Sequence, residues 1–309
     1  MKTTLAVMLL MSFSCPARSQ APTPAPPSQQ ETGPDVDLLH HIRRSTVSLG
    51  LRVTVDGQQR FATVGSAVLV AWDAHHGCLL TAKHVFYDPT KSFFPTVLYV
   101  RLPQSEPRQD DDLGVPLPLI VDGRNLWHGA DDADLAVVGL PDLSTYKDLH
   151  GISLSEFGGE DDVFQGASVV VMGYPELLGP DYQTTPIARN GIVAWTNPNG
   201  RLDHTFLVAA NVFNGNSGGP VFHLPSGPSR SGGFSVGGVA KLIGIVSKDA
   251  AEESPVHIGQ TPVTVTNQQT GMTLPMTAKV LNIGGIGIIE PASKAKKLIV
   301  DTFRLPQTP

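Results

Sequence analysis

Apolar and polar residues recur along this chain in short blocks, and the dominant period is two. Between Val47 and Val55, the side chains of Val47, Leu49, Leu51, Val53 and Val55 fall on one side, with Ser48, Arg52 and Thr54 on the other. That is the alternation of a half-buried strand. Phe61–Ala71 is apolar and β-branched, and Cys78–Thr81 is a shorter run of the same kind. Further strands are predicted at Thr96–Arg101, Leu117–Val121, Leu135–Val138, Ala167–Met172, Gly191–Trp195, Thr205–Ala210, Val221–His223, Val239–Val246 and Thr261–Thr266. Gly, Pro and Asp separate them, and many short strands split by such turns predict an all-β barrel or sandwich. Helical spacing is confined to the two ends. Asp35–Arg44 predicts a short helix. Near the C-terminus Pro291 suits a first helical turn. Ala295, Leu298, Ile299, Thr302 and Phe303 then share one face, which predicts a helix packed on the β-structure.

The first residues do not belong to this pattern. Lys2 precedes a nine-residue apolar stretch, Leu5–Phe13, too short to span a bilayer. Ala17-Arg18-Ser19 fits the small-x-small rule for cleavage before Gln20, so residues 1–19 are expected to be an export signal. Residues 20–44 are expected to be a tether and short lead-in, because Gln20–Pro34 is too rich in Pro, Gln and Thr to bury a core. Cys15 would leave with the signal, and Cys78 would remain as a buried, inert thiol in an apolar run. An exported chain without an internal disulfide points to a bacterial-type periplasmic or secreted protein.

The 309 residues, 41% of them hydrophobic, suffice for one large domain or two small ones. A net charge of -6 without a basic run argues against nucleic acid as a partner. Asp110–Asp112 and Asp161–Asp162 read as acidic turns, and no Cys/His spacing suits zinc, so neither a metal nor another cofactor is expected. The oligomeric state is not legible.

Three short motifs carry chemistry. In Gly215-Asn216-Ser217-Gly218-Gly219-Pro220 a serine stands among glycines that permit a sharp turn and close substrate approach. Such a turn can aim successive N–H groups at one point, as an oxyanion hole requires. Thr81-Ala82-Lys83-His84-Val85 places a histidine just past a strand end, and Asp134-Leu135-Ala136-Val137-Val138 places an acid just before one. A serine hydroxyl is a poor nucleophile at neutral pH and needs a base in hydrogen-bond reach. His84 is the candidate base, and Asp134 the group that holds its tautomer and stabilises the imidazolium.

At these motifs, in the order His, Asp, Ser, the chain resembles the trypsin-like peptidases of the chymotrypsin fold. Fifty residues separate His84 from Asp134 and 83 separate Asp134 from Ser217. The resemblance implies two antiparallel six-stranded β-barrels, residues 45–158 and 159–309, with the site between them and the C-terminal α-helix on the second. It implies peptide-bond hydrolysis through an acyl-enzyme on polypeptide substrates, with the N–H groups of Gly215 and Ser217 as the oxyanion hole. Gly173-Tyr174-Pro175 and Gly191-Ile192-Val193 are similar to strands of bacterial HtrA-like members. Only a few residues follow the terminal helix, so no PDZ domain is expected. Gly244-Ile245-Val246-Ser247 resembles the strand lining the cleft. Ser247 is thereby expected to bond Asp134, and the backbone of Ser247, Lys248 and Asp249 to pair with substrate as an added strand. The pocket floor falls on Asn211, beside Val212 and Phe213, which implies a mainly apolar slot with no counter-charge for Arg or Lys.

The chain departs from the pattern at two sites. Asn216 stands where digestive members carry an Asp that pairs with a new N-terminus, so activation by that ion pair is unavailable. Lys248-Asp249 replaces an aromatic and a glycine, and residues 250–284 look inserted. A weak or inactive protease-fold protein that binds peptides or acts as a chaperone is the alternative. An α/β-hydrolase esterase would need Ser before the Asp and His.

Overall fold

The computed structural model describes residues 34–103, 113–140, 150–176, 184–197, 204–235, 237–249 and 285–306, and short stretches between 252 and 280. Of 34–38, 235, 249 and 252–280 only the backbone is described. The expected signal, most of the tether and the acidic turn at Asp110–Asp112 lie outside the described residues.

The first lobe is an eight-stranded sheet built from β1 (Thr46–Val55), β2 (Gln58–Ala71), β3 (Gly77–Thr81), β4 (Val97–Arg101), β5 (Val115–Pro118), β6 (Trp127–Gly129), β7 (Ala136–Gly139) and β8 (Ile152–Ser153). Its order is β5-β4-β1-β2-β3-β7-β6, with β8 adding to β2 in parallel. The second lobe is a closed barrel of six strands: β9 (Ser168–Gly173), β10 (Ile187–Trp195), β11 (Phe206–Ala209), β12 (Pro220–His223), β13 (Lys241–Asp249) and β14 (Ile286–Pro291). The all-β, two-lobed expectation therefore holds. The first lobe differs in detail: it has eight strands, and β5 and β6 are not paired to each other, so its ring is not hydrogen-bonded shut.

Three apolar clusters explain why several predicted strands read as continuous apolar runs. One face of β2, β3 and β7, through Ala67, Leu69, Leu79, Ala136 and Val138, fills the first lobe. In the second lobe Val169, Val171, Val193, Val208, Val221 and Ile243 do the same. The opposite faces, through Val68, Val70, Leu80, Val137, Val170, Met172, Phe222 and Leu242, meet in a third cluster between the lobes. Strands buried on both faces need no polar side. Cys78 is fully buried in that shared cluster, and burial pushes its thiol pKa far up, which suits an inert packing role.

Helices seal the shared cluster. α1 (Pro34–Ser45) contributes Ile42. The short α2 (Lys83–Phe86) follows β3. In α3 (Ala292–Phe303), Ala292, Ala295 and Ile299 are buried, and Leu298 and Phe303 pack at the edge, so the predicted apolar face is the packed one. Pro291 caps this helix and does not open its first turn.

The predicted strand Leu117–Val121 is broken. Its first part joins β5, and Ile120–Val121 pairs with Arg124–Asn125 in a separate hairpin. Asp122 and Gly123 turn that hairpin with φ of 50° and 73°, as a two-residue turn with both centres left-handed requires. The segment 250–284 supplies paired short strands, Glu252–Pro255 with Thr277–Val280 and Thr264–Thr266 with Thr273–Pro275. Thr261–Thr266, predicted as one strand, is two, Thr261–Pro262 and Thr264–Thr266. Among the described residues no helix is long and apolar enough to cross a membrane.

Candidate active site

His84 owes its position to burial on either side of it. Thr81 and Ala82 are buried at the end of β3, and Val85 and Phe86 are buried in the first-lobe core. The one-turn helix α2 is thus pinned from below, and the His84 side chain is left 28% exposed. Asp134 lies just before β7, in a turn closed by Ala130 N–H donating to Leu135 O at 2.9 Å. Leu135 is fully buried and fixes the end of that turn.

The two side chains meet. His84 Nδ1 lies 2.7 Å from Asp134 Oδ2, and the His84 backbone N–H donates to Asp134 Oδ1 at 3.0 Å. Ser247 Oγ donates to the same Oδ2 at 2.6 Å, as the resemblance implied. Burial alone would raise the Asp134 pKa. The hydrogen bond and attraction of His84, then the bonds from Ser247 and the His84 N–H, outweigh it and hold the carboxyl below the usual range. Asp134 is therefore ionised at neutral pH and fixes Nδ1 as the protonated nitrogen, leaving Nε2 free to accept a proton.

Ser217 lies in the turn between β11 and β12. Phe213 O accepts from Asn216 N–H at 3.0 Å, and Asn214 O accepts from Glu176 N–H at 2.9 Å. A peptide's N–H points away from its C=O, so this second bond aims the Gly215 N–H to the opposite side. Among the described residues neither that N–H nor the Ser217 N–H has an acceptor. Gly215 has φ of +89°, and a Cβ there would lie 2.3 Å from Tyr174 O. Gly218 has φ of +84°, with Ser66 O and Thr81 Oγ1 each 2.0 Å from its would-be Cβ. The turn can form only with glycine at both places. Ser217 Oγ itself donates to Ser247 O at 3.1 Å, and no hydrogen bond joins it to His84.

The expected substrate-binding residues lie around this turn. A bulge in β13 falls at Ser247, between Val246 and Lys248. A bulge re-aims one side chain, and here it turns Ser247 onto Asp134. β13 pairs with β14 through Lys248 and Asp249, while its pairing with β12 ends at Ile245. From Ser247 onward that second edge pairs with no strand among the described residues, and Ser247 O accepts from Ser217 Oγ. Lys248 is exposed, and the side chain of Asp249 lies outside the described residues. Asn211 is exposed in a left-handed conformation, φ 47°, with its N–H bonded to Gly285 O at 3.0 Å. Val212 does not join that surface: it is 3% exposed, within the second-lobe core.

Two residues missed in the sequence complete the geometry. Glu290 of β14 is buried, and its Oε1 accepts from the Asp134 N–H at 3.1 Å. Ser66 of β2 is fully buried and ties the lobes at the Ser217 turn. Its Oγ donates to Gly215 O at 2.7 Å and accepts from Tyr174 N–H at 2.9 Å, and its N–H donates to Ser217 O at 2.8 Å. Ser66→Ala strips two buried backbone groups of a partner, each costing about 1–3 kcal/mol. Urea unfolding is expected to show a loss on that order, and a wild-type midpoint would mean that the turn is held without Ser66.

The profile of the trypsin-like peptidase domain matches residues 65–227, over half of the chain and all three motifs. Among curated proteins no sequence matches. A solved structure of an HtrA-type protease, AlgW, in a serine-to-alanine form with a decapeptide, matches at 18% identity with a TM-score of 0.46. The match covers 88% of this chain and 68% of that one.

Proposed function

The chain belongs to the family of trypsin-like peptidase domains, and on that premise we propose that it is a serine endopeptidase with Ser217 as nucleophile, His84 as base and Asp134 as orienting acid. The observation that carries this reading is the His84–Asp134 pair, 2.7 Å apart and fixed from behind by Ser247. Rotation about χ1 moves Ser217 Oγ from Ser247 O toward His84 Nε2. Oγ then attacks the scissile carbonyl carbon as Nε2 takes its proton. The N–H groups of Gly215 and Ser217 receive the developing oxyanion. The C–N bond breaks as the imidazolium returns the proton to the leaving amine, and water repeats the sequence on the acyl-enzyme. Asp134 stays ionised throughout.

The substrate is an extended polypeptide that pairs with the open edge of β13 at Ser247, Lys248 and Asp249, so affinity comes largely from backbone hydrogen bonds. Asn211 offers no counter-charge for a cationic side chain, whose desolvation costs several kcal/mol. Small or medium apolar residues before the cut are therefore favoured. Export, read from Lys2, the Leu5–Phe13 stretch and Ala17-Arg18-Ser19, completes the proposal: the peptidase acts in the periplasm or outside the cell.

The bond from Ser217 Oγ to Ser247 O favours a second reading, a weak or inactive peptide-binding relative. Digestion of a proteome-derived peptide library separates the two. Cleavage after small apolar residues is expected. An uncut library would favour the binding module. Dominant cleavage after Arg or Lys, lost in Asp249→Ala, would instead overturn the neutral pocket.

A further inference from the structure

Asp134 is held from both lobes. From the first lobe, the His84 ring and N–H reach its carboxylate, and Lys83 N–H donates to its carbonyl at 3.2 Å. From the second, two adjacent strands reach it. Ser247 of β13 takes the carboxylate, and Glu290 of β14 takes the backbone N–H. One turn into α3, Lys294 Nζ donates to Asp132 O and lies 3.0 Å from Asp132 Oδ2. The last strand and helix therefore hold the aspartate loop at Asp132 and at Asp134.

Glu290 is an expensive way to make that contact. It is 6% exposed, lies between Ile289 and Pro291 in an otherwise apolar strand, and its Oε2 is buried without a hydrogen-bond partner. A buried carboxyl with one partner is a poorer filler than an aliphatic side chain of similar size. Stability does not account for a carboxyl here, whereas the part-buried Asp134 N–H that faces it is given an acceptor.

We propose that Glu290 is a positioning residue of the triad: it fixes the Asp134 backbone from the second lobe, so that a competent His84–Asp134 pair requires the C-terminal strand and helix to be docked. The proposal rests on the serine-peptidase reading for its kinetic consequence, but not for its effect on the resting pair. Without Glu290, the Asp134 turn keeps its first-lobe contacts and loses its backbone anchor to the second lobe. The carboxylate then samples orientations that release His84 Nδ1–H. Small displacements of this kind cost turnover and leave substrate affinity alone, because β13 and the pocket are untouched.

The test compares Glu290→Leu with Glu290→Gln in the full-length protein. Gln keeps an acceptor oxygen at the same reach, whereas Leu fills the space without one. Three readouts are needed: kcat and KM on a peptide found in the library digest, thermal unfolding, and the downfield proton resonance of His84 Nδ1–H in the substrate-free protein. Glu290→Leu is expected to fold and to melt close to the wild-type temperature, because removing a half-satisfied buried carboxyl offsets the cost of the Asp134 N–H left without its acceptor. Its kcat should fall roughly tenfold to a hundredfold with KM within about twofold, and its His84 resonance should broaden or vanish. Glu290→Gln should restore the resonance and most of the turnover. Should Glu290→Leu not fold, Glu290→Met takes its place. A folded Leu or Met variant with wild-type kcat and a sharp His84 resonance would overturn the proposal. If the wild type itself cleaves nothing, the peptidase reading fails, and the His84 resonance still decides the role of Glu290.

Discussion

Ser217→Ala is expected to abolish peptide hydrolysis, by about 10⁴-fold or more in kcat, in a protein that folds as before. Only one oxygen is removed. Its one hydrogen bond among the described residues, to Ser247 O, is worth about 0.5–1.5 kcal/mol. The bonds that hold the turn run through backbone atoms of Asn214, Asn216, Ser217 and Gly218 and through Ser66, and all of them survive. Glycine at 215 and 218 keeps the turn's conformation whatever residue stands between them. The loss must therefore come from the missing nucleophile. Unfolding midpoint and kcat/KM, measured on the same preparation, check both halves of the expectation. Residual cleavage near the wild-type rate would assign hydrolysis to another residue.

Asp134→Asn is expected to cost about 10⁴-fold in kcat, the scale that this change has in Ser-His-Asp sites. The reason lies in the donor count. Three donors point at the carboxylate: the His84 N–H on Oδ1, and His84 Nδ1–H and Ser247 O–H on Oδ2. An amide offers one acceptor oxygen and an NH₂ group that needs acceptors of its own. If the oxygen faces His84 N–H, the NH₂ faces Nδ1. The imidazole must then shift its proton to Nε2, where it can no longer accept from Ser217. If the amide flips, the His84 N–H loses its partner and α2 loosens. KM should change little, since substrate is proposed to pair with the backbone of Ser247, Lys248 and Asp249, whereas Asp134 meets only the Ser247 side chain. A kcat within tenfold of wild type would mean that Asp134 does not set the tautomer of His84.

How far the site was legible depended on whether each residue acts near itself in sequence. His84, Asp134 and Ser217 sit in motifs whose neighbours announce them, and Ser247 was reached through the resemblance at Gly244-Ile245-Val246-Ser247. Ser66 was not visible. It continues the run Val64-Gly65-Ser66-Ala67, and its role arises from partners 108 and 149 residues away. An in-strand serine beside a glycine, where alternation wants a packing residue, was the available signal. Glu290 carried a stronger one, since an acid in Ile288-Ile289-Glu290-Pro291 breaks an apolar strand. Only folding reveals that it faces Asp134, 156 positions earlier.

The fold was legible for the same reason that some details were not. Runs such as Cys78-Leu79-Leu80-Thr81 reveal strands buried on both sides. They do not reveal that one side faces a lobe interior and the other a cluster shared by both lobes. The eighth strand of the first lobe is the two-residue β8, added in parallel to β2, and carries no periodicity at all. Leu117–Val121 was read as one strand although Val121-Asp122-Gly123-Arg124 repeats the hairpin signal of Val55-Asp56-Gly57-Gln58. A tight hairpin at the second site forces the chain off β4 after Pro118.

The central claim is that Ser217 is a nucleophile activated by His84 and Asp134. Reaction of the purified protein with a fluorophosphonate, followed by intact-mass and peptide-level mass spectrometry, tests it most directly. The account predicts one covalent adduct per chain, located on Ser217, formed by the wild type and absent from Ser217→Ala. An unmodified wild-type protein, or an adduct at another residue, would contradict it.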